Sequence, residues 1–403
     1  MSKGNWTLTK VKDVAKIVSG ATPKTGIREN WGGDIPWLTP KDLSDNPAPY
    51  TSHGSRFLTE QGFNSCSTHM LPKGTVLLSS RAPVGYVSVA ANDICTNQGF
   101  KSLVLEDDQV PEFWYYLLSA NTETLLNFSG GSTFKELSKR SLEQIKFLIP
   151  LIEEQREIVA FMQALDHMIQ MDDREISSAE QMRGDILNTL LRDNTQSWNS
   201  VKVKEVAQII SGATPKTGKP EYWGGNIPWV TPKDLSEHPS LYTSRGARSI
   251  TEEGFNSCST HMLPKGAVLL TSRAPVGYVS IADNEICTNQ GFKSLILDET
   301  QKPEFWYYLL GANTETLLNY SGGSTFKELS KTSLGEIEFL LPPLEEQEKI
   351  VEKMQTLDTY IDSAKRSQEA LKQVRKDALH ALLSGDKDVR DLAEMFATSE
   401  DVA

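Results

Sequence analysis

The sequence predicts an α+β protein of two tandem mixed α/β domains, each followed by one long helix. The first observation is an internal repeat: residues 6–192 recur at 198–384 with a constant offset of 192 and without a gap. Solenoid repeats run to roughly 20–50 residues, so a copied unit of this length is a whole domain. The second observation is a change of pattern inside each copy, from turn-rich segments to one long helical stretch.

The two parts of each copy are retained to different degrees. Between 17–150 and 209–342, 102 of 134 aligned positions are identical, whereas between 151–192 and 343–384 only 17 of 42 are identical. In the front part, polar surface-type residues are retained as well as apolar ones. The front part is therefore constrained by more than its core, and the rear part mainly by its pattern.

The front part of the first copy alternates short strands with turns. Glycines and prolines interrupt 19–26 and 31–43, which predicts a loop and irregular structure there. Val11–Val18 is compatible with a strand or a helix. Runs rich in β-forming residues and bounded by turns predict strands at Thr75–Ser79, Gly85–Ala90, Lys101–Leu105 and Phe147–Pro150.

Two helices are predicted in the same part. Pro111–Asn127 has proline in a first-turn position followed by an apolar periodic run. Thr133 and Glu136 are spaced as a capping box, which predicts a short helix over Phe134–Lys139.

Each rear part is predicted to be a single helix. Residues 152–192 contain no Pro and no Gly except Gly184, and their apolar residues follow a near 3-4 heptad spacing. A helix of about 35–40 residues is roughly 55 Å long, and a single apolar stripe needs a partner. We expect this partner to be the helix of the other copy, in a coiled coil. An acidic, weakly helical tail follows at 386–403.

The net charge of −12 lies mainly outside the front part of the first copy. Residues 151–192 carry 4 basic and 9 acidic residues, while 1–150 carry 15 and 14. A negative net charge counts against nucleic-acid binding, but it does not exclude binding through a locally basic groove. No apolar run is long enough to span a membrane, and four cysteines give no disulfide density, so we expect a cytoplasmic protein.

Few residues could support catalysis or metal binding. Cys66, His69 and Cys95 offer three ligands, fewer than the four of a closed zinc site, so buried thiols and a hydrogen-bonded histidine are the preferred interpretation. The same trio recurs at Cys258, His261 and Cys287. SGATPKTG and SGGST match no nucleotide-binding motif, and the sequence has no methyltransferase or nuclease signature. We predict no metal, no cofactor and no catalytic activity on this chain.

Shared aromatic residues are interpreted as core rather than as platforms for bases. Trp31, Trp37 and Trp114 recur in the second copy. Trp114 lies in the periodic helix, where its neighbours repeat on one apolar face.

Basic and polar loop residues are the candidates for nucleic-acid contacts. Six basic residues are retained in both copies beside loops rich in Thr, Asn and Gln. Basic side chains bind phosphates, while Arg, Asn and Gln read base edges; a solvated surface is the alternative. The candidates in the first copy are Thr22, Lys24, Lys41, Arg81, Asn97, Gln98, Lys101, Thr133, Lys135 and Lys139. Those in the second copy are Thr214, Lys216, Lys233, Arg273, Asn289, Gln290, Lys293, Thr325, Lys327 and Lys331.

Taken together, these features resemble the specificity subunits of type I restriction–modification systems over essentially the whole chain. The resemblance rests on an ordered set of motifs that occurs twice, namely SGATPKTG with a following WGG-IPW-TPKDL run, LPKG-VLL-SRAPVG, TNQGFKSL and SGGSTFKELS. The most specific block is IPLIEEQREIVAFMQALDHMI at 149–169 and LPPLEEQEKIVEKMQTLDTYI at 341–361.

The resemblance implies that 1–150 and 194–342 are target-recognition domains, each of which reads one half of a bipartite double-stranded DNA site. It implies that 151–193 and 343–385 are spacer helices, paired as an antiparallel coiled coil about a pseudo-twofold axis. The partners it implies are two modification methyltransferase subunits and, through them, restriction subunits. S-adenosylmethionine, ATP and Mg²⁺ are then bound only by these partner subunits, and no membrane partner is expected.

One feature departs from the family pattern. Such subunits usually have dissimilar recognition domains joined by similar helices, whereas here the recognition domains are the more alike part. We interpret this as the duplication of one half, which predicts a palindromic site. The main exception is 45–61, where His53 stands against Arg245.

Three alternatives stay open at this point. A metal hydrolase built on the Cys/His sets would bind zinc in proportion to the copies. A tandem scaffold or ligand-binding protein would show no salt-dependent affinity for DNA. The specificity subunit of a related bipartite-site system is the third alternative.

Overall fold

The computed structural model describes residues 6–81, 83–131, 135–192, 197–273, 275–322 and 327–400, with side chains as far as residue 394. The chain forms two compact units. Unit 1 consists of Met1–Asp172 and Ser367–Ala403, and unit 2 consists of Asp173–Arg366. Each unit therefore holds the front part of one copy, the first half of that copy's long helix and the second half of the other copy's long helix.

The front part of unit 1 mixes short strands and short helices, as the sequence predicts. Its strands are β1 (Thr7–Lys10), β2 (Ala15–Ser19), β3 (Trp31–Leu38), β4 (Tyr50–Thr51), β5 (Arg56–Leu58), β6 (Val76–Ser80), β7 (Val84–Ala90), β8 (Cys95–Thr96), β9 (Lys101–Leu105) and β10 (Lys146–Ile149). Its helices are α1 (Pro40–Asp45), α2 (Glu60–Asn64), α3 (Pro111–Ala120), α4 (Thr122–Asn127) and α5 (Lys139–Gln144).

These strands form a five-stranded sheet of order β2-β9-β6-β7-β4, a three-stranded sheet of order β5-β3-β8, and the pair β1-β10. The pairs β3–β8 and β4–β7 are parallel, and the other pairs are antiparallel. β6 is buried along its whole length, because both faces of the five-stranded sheet are covered. On one face lies α3, whose Phe113, Trp114 and Leu118 are fully buried in the main core of unit 1.

Unit 2 repeats this architecture at the same offset. Its strands are β11 (Asn199–Lys202), β12 (Ala207–Ser211), β13 (Trp223–Val230), β14 (Tyr242–Thr243), β15 (Arg248–Ile250), β16 (Val268–Leu270), β17 (Val279–Ala282), β18 (Cys287–Thr288), β19 (Lys293–Leu297) and β20 (Glu338–Leu341). They form sheets of the orders β12-β19-β16-β17-β14, β15-β13-β18 and β11-β20. The helices are α7 (Val203–Val206), α8 (Pro232–Glu237), α9 (Glu252–Asn256), α10 (Pro303–Ala312), α11 (Thr314–Asn319) and α12 (Lys331–Glu336).

The prediction of irregular structure at 31–43 is wrong for its first part, which is strand β3. The register of β3 against β5 shifts between Trp31 and Ile35, and Gly32 has a φ of +85°. Glycine adopts this conformation without steric cost. The two glycines therefore mark an irregularity inside a strand rather than a loop.

The predicted helices also need two corrections. The helix expected over Pro111–Asn127 is interrupted at Asn121, whose side-chain amide donates a hydrogen bond to the carbonyl of Leu117 in competition with the helical backbone. The helix expected over Phe134–Lys139 is wrong for its described residues. There the backbone is extended and pairs with Gly130 and Ser80, and the helix begins only at Lys139.

The two long segments are each one helix, as their apolar spacing predicts: α6 spans Ile152–Arg192 and α13 spans Leu344–Ser384. Inside unit 1 their segments pack antiparallel, because Asp166 and Ile169 of α6 contact Arg375 and Gln368 of α13 in reverse order. Inside unit 2 the order is also reversed, since Glu175 contacts Tyr360 and Arg183 contacts Asp358. A last helix, α14 (Val389–Glu400), follows α13.

A three-residue cluster, here called the clasp, joins both helix segments to the front part of unit 1. Asp166 of α6 forms an ion pair with Arg375 of α13 and accepts a 2.6 Å hydrogen bond from the hydroxyl of Tyr116 in α3. Burial, together with the hydrogen bond and negative charge of Asp166, raises the pKa of Tyr116. Unit 2 has the same clasp in Asp358, Arg183 and Tyr308.

Within the described residues, no helix combines the length and the apolar character that a membrane span requires.

Candidate nucleic-acid interface

The carboxyl end of β3 brings two polar loops together. The Ala21 amide donates to the carbonyl of Thr96, and the Asn97 amide donates to the carbonyl of Leu38 at the end of β3. The indole of Trp37 donates a 3.0 Å hydrogen bond to the carbonyl of Ala21. A backbone framework therefore fixes the loop at 20–24 and the turn after β8 side by side.

Polar side chains lie on this framework. The hydroxyl of Thr22 donates a 2.5 Å hydrogen bond to the side-chain carbonyl of Gln98, and Gln98 is exposed. Thr214 and Gln290 form the same contact in unit 2. The amide groups of Gln98 and Gln290 have further hydrogen-bonding capacity facing solvent, which is the chemistry that reads a base edge.

Asn97 has a structural role at the same place. Its side-chain oxygen accepts a 2.8 Å hydrogen bond from the Gly99 amide, which closes the turn between β8 and β9. A Cβ at Gly99 would lie 2.7 Å from Pro40, the first residue of α1. The turn is thus packed directly against α1, which carries Lys41 with its side chain exposed.

Asp42 ties the start of α1 to the loop before β5. Its carboxylate accepts hydrogen bonds from the amide and hydroxyl of Thr39, at 2.7 and 2.6 Å, and from the Ser55 amide at 2.8 Å. Burial alone raises the pKa of Asp42, but these hydrogen bonds outweigh it and hold the pKa below its usual value. The carboxylate is therefore a fixed acceptor inside the protein and is not free for a ligand.

The predicted basic residues at the other side of this turn, Arg81 and Lys101, are not fully exposed. Lys101 is only 8% exposed, and its ammonium lies 3.4 Å from the hydroxyl of Ser80. Burial lowers the pKa of Lys101, the Glu136 carboxylate opposes that effect, and Arg81 adds to it. The backbone of Arg81 also pairs with Glu136 in an isolated β-bridge.

Unit 2 repeats the arrangement with explicit ion pairs. Glu328 lies 3.8 Å from the ammonium of Lys293 and 4.0 Å from the guanidinium of Arg273. Lys293 is 7% exposed, so neither it nor Lys101 presents its charge at the surface. Both lysines hold neighbouring groups in place in this conformation rather than facing solvent.

The remaining predicted lysines are exposed. Lys24, Lys41 and Lys135 are free of ion pairs within the described part of the chain, whereas Lys139 lies 3.9 Å from Glu143. In unit 2, Lys233 lies 3.4 Å from Glu237 on the surface. Their other counterparts in unit 2 are exposed as well, namely Lys216, Lys327 and Lys331. Thr133 and Thr325 lie outside the described residues.

In each unit an arginine that the sequence did not predict as a site residue is stacked on an aromatic ring. The guanidinium carbon of Arg56 lies 3.3 Å from the ring centroid of Trp31, and that of Arg248 lies 3.4 Å from the ring of Trp223. Cation–π stacking holds each guanidinium flat against the indole and leaves its edge available. A signal was present, because Arg56 and Arg248 are retained within the variable stretch 45–61 and its counterpart.

The cysteines are placed in or beside packed cores. Cys95 is fully buried beside Trp37 and Leu58, and burial raises the pKa of its thiol to about 11. The thiol of Cys66 lies 3.9 Å from the carbonyl of Gly62. In the part of the chain that the structure describes, no group of three or more His, Cys, Asp or Glu side chains is arranged to hold a metal ion.

Comparisons with known proteins agree with the fold. A family model described as the type I restriction modification DNA specificity domain matches residues 3–181 and again 195–373. A type I restriction enzyme MjaIX specificity subunit of Methanocaldococcus jannaschii is 29% identical over 414 residues, which cover 96% of this chain and 95% of that protein.

Two solved structures have the same fold. A chain from a study of complex assembly and conformational transition in a type I restriction–modification system has a TM-score of 0.71 at 18% identity, covering 95% of this chain and 99% of that one. The HsdS subunit of Thermoanaerobacter tengcongensis has a TM-score of 0.54 at 18% identity, covering 95% and 98%. The chain belongs to the family of type I restriction–modification specificity subunits, the DNA-recognition and non-catalytic members of these systems, and carries the family's domain twice.

Proposed function

We propose that the chain reads a bipartite DNA site, with residues 1–150 recognising one half and 194–342 the other. One observation carries the proposal: the contact between Thr22 and Gln98 at the end of β3 recurs between Thr214 and Gln290 at the end of β13. Identical hydrogen-bonding groups on the same backbone framework read the same base edges.

The candidate contacts divide by chemistry. The exposed lysines, which include Lys24 and Lys135 with their counterparts, bind phosphates and set the register on the duplex. Gln98 and Gln290 read base edges. Lys101 and Lys293 act indirectly, because they are buried; in unit 2, Lys293 and Arg273 both lie within 4.0 Å of the Glu328 carboxylate, which links the buried lysine to the arginine.

The long helices are proposed to be the spacers, at 151–193 and 343–385. Inside each unit the segments of the two helices pack antiparallel, as paired spacer helices do. The two half-sites are then the same word on opposite strands wherever identical side chains read them.

The partners proposed for this chain are two modification methyltransferase subunits and, through them, restriction subunits. We expect S-adenosylmethionine, ATP and Mg²⁺ to be bound only by these partner subunits. We also propose that the complex works in the cytoplasm. The four cysteines support this location because all of them are unpaired thiols.

The test is a methylation map. The full chain is co-expressed with its methyltransferase subunit in a host that lacks adenine methylation, and methylated adenines are located by single-molecule sequencing. We expect one motif of two short words separated by a fixed gap. The matched control omits this chain and should yield no motif, whereas methylation at a continuous or variable motif would contradict the proposal.

A further inference from the structure

The outer face of the small sheet in unit 2 carries a cleft of about 550 Å³. It lies between β13, which contributes Asn226 and Pro228, and the segment Arg245–Ser249, which leads into β15. Side chains alternate along a strand, and Ile227 and Trp229 of β13 point into the core of this sheet. Asn226 and Pro228 therefore face outward, away from that core.

The cleft is fixed in place by the framework of the candidate interface. A Cβ at Gly246 would lie 2.6 Å from the carbonyl of Trp229, so the loop is pressed against the end of β13. The Ala247 amide donates a 2.8 Å hydrogen bond to Asp234 at the start of α8. The cleft thus adjoins the same end of β13 from which the turn with Asn289 and Gln290 projects.

Two arginines whose guanidinium groups can donate hydrogen bonds to a ligand line the cleft. Among the described residues, neither Arg245 nor Arg248 has a hydrogen-bond or ion-pair partner for its guanidinium. Arg248 is stacked on Trp223, which keeps its fork planar and oriented. Asn226 is exposed beside them and adds an amide with free donors and an acceptor.

Unit 1 has the same pair of strands at this place, but several of its side chains differ. Of the seven residues that line the cleft, four differ from their counterparts in unit 1, compared with 32 of 134 over the aligned front parts. Asn226, Arg245, Ala247 and Ser249 correspond to Asp34, His53, Ser55 and Phe57. In unit 1 the imidazole of His53 stacks on the ring of Phe57, with 5.7 Å between ring centroids.

These replacements change what the cleft can bind. To the stacked arginine that both units share, unit 2 adds the guanidinium of Arg245 and the amide of Asn226, whose donors match the two acceptors O6 and N7 on the edge of guanine. Unit 1 presents the carboxylate of Asp34, which accepts from the exocyclic amino group of cytosine or adenine and repels a guanine acceptor edge. The difference is one of hydrogen-bond polarity and not only of shape.

We propose that this cleft is a specificity-determining site that breaks the symmetry of the DNA target at one position, where unit 2 selects guanine and unit 1 selects a base with an amino donor. The inference rests on the proposed function, because it assumes that each domain reads one half-site. Arg245 and Asn226 are the readers in unit 2, and Asp34 is the reader in unit 1.

The experiment uses the full chain with its methyltransferase subunit and a DNA library in which each position of both words is varied in turn. The wild-type complex should prefer guanine by about 10- to 100-fold at one position of the unit 2 word, as for a bidentate base contact. The unit 1 word should not share that preference. Words that are identical at every position would overturn the inference.

Two reciprocal grafts locate the preference in the cleft. Asn226→Asp, Arg245→His, Ala247→Ser and Ser249→Phe give unit 2 the cleft of unit 1, so both words should then carry the unit 1 base. Asp34→Asn, His53→Arg, Ser55→Ala and Phe57→Ser should make both words carry guanine. Each graft uses side chains that already occur at the aligned positions of the other unit. If one variant does not assemble with the methyltransferase subunit, the other graft still tests the inference.

The matched control is Thr300→Asp, which also replaces a unit 2 residue by its unit 1 counterpart but lies in the turn after β19, away from the cleft. It should leave both words unchanged. A bipartite wild-type motif that neither graft alters by more than about twofold would overturn this inference alone. The absence of any bipartite motif would overturn the proposed function as well.

Discussion

Single side chains in the candidate interface differ in how free they are to bind DNA. Gln98 is exposed and anchored through Thr22, whereas Lys101 is buried against Ser80. Arg56 is exposed but held flat on Trp31. An anchored but exposed group loses little conformational entropy on binding, and such groups are the best candidates for specific contacts.

Replacing Lys135 and Lys327 by alanine should weaken DNA binding by the methyltransferase complex almost equally for cognate and unrelated sequences. Each exposed lysine that contacts a phosphate releases about one counterion, so the salt slope should fall by about one for each lysine. Fluorescence anisotropy at several salt concentrations measures this. Lys349→Ala is the control, because Lys349 pairs with Glu345 on α13. Unchanged slopes in the double variant would place these lysines outside the interface.

The buried thiols should make stability depend on alkaline pH. Burial raises the pKa of Cys95 and Cys287 from 9.0 to about 11, so the folded chain keeps thiol protons that the unfolded chain loses. Stability is therefore intact below pH 9 and falls as the pH rises toward 11, by about 1.4 kcal/mol per pH unit for each thiol. Urea unfolding of wild type and of the double Cys→Ala variant measures it. The variant should have the flatter pH profile, and parallel profiles would contradict the assignment.

At the scale of elements, the clasp is a polar link between both long-helix segments and the recognition domain in each unit. Asp166 and Arg375 have side chains only 22% and 27% exposed, and Tyr116 adds a hydrogen bond to the same carboxylate. The surrounding contacts are apolar, with Met162 and Leu382 almost fully buried. We expect the clasp to favour one register of the two helix segments, because its directional contacts form only in that register.

Arg375→Leu should lower the free energy of unfolding by about 1–3 kcal/mol, because it leaves the Asp166 carboxylate half-buried beside Tyr116 without its cation. This loss of stability is smaller than for a fully buried ion pair, because water still reaches both charged groups. Arg183→Leu should have a similar effect in unit 2. Lys349→Ala breaks an exposed pair and should cost less than about 0.5 kcal/mol. Equal losses for Arg375→Leu and Lys349→Ala in urea unfolding would show that the clasp is no stronger than a surface pair.

At the scale of the whole molecule, both long helices pass from one unit into the other. α6 leaves unit 1 after Asp172, and α13 leaves unit 2 after Arg366. The helix contacts inside unit 1 involve α6 up to residue 172 and α13 from residue 367. Those inside unit 2 involve α6 from residue 173 and α13 up to residue 366. A change of helix length made at these two points leaves the internal contacts of each unit intact.

Inserting four residues with high helix propensity after both Asp172 and Arg366 should lengthen the gap between the two DNA words. Four helical residues add roughly 6 Å and about one turn, which corresponds to nearly two base pairs at about 3.4 Å each. The methylation map reads the new gap directly. The control inserts the same residues after Ala403, beyond the helices. If the complex with the paired insertion still methylates sites with the original gap, the helices do not set the spacing.

Parts of this molecule follow from local sequence pattern, and parts do not. The 3-4 spacing of apolar residues predicts α6 and α13 because burial of one face is a local property of a helix. The bulged strand β3 was missed, since its glycines and prolines are equally typical of loops.

The candidate site divides in the same way. Retention in both copies makes Gln98 and Lys24 candidates, but it cannot separate an exposed lysine from Lys101, which lies beside Ser80 and Glu136 from distant segments. The stacking of Arg56 on Trp31 joins residues 25 apart in sequence, so no local pattern reveals it.

The discontinuity of unit 1 sets an order of events during synthesis. Unit 2 is one continuous segment, so its core can close once Arg366 has left the ribosome. Unit 1 must wait, because Met162 and Leu165 share a core with Leu379 and Leu382, which are made after the whole of unit 2. The domain translated first is thus completed last, and until then a nascent chain exposes the apolar stripe of half a helix to the cell.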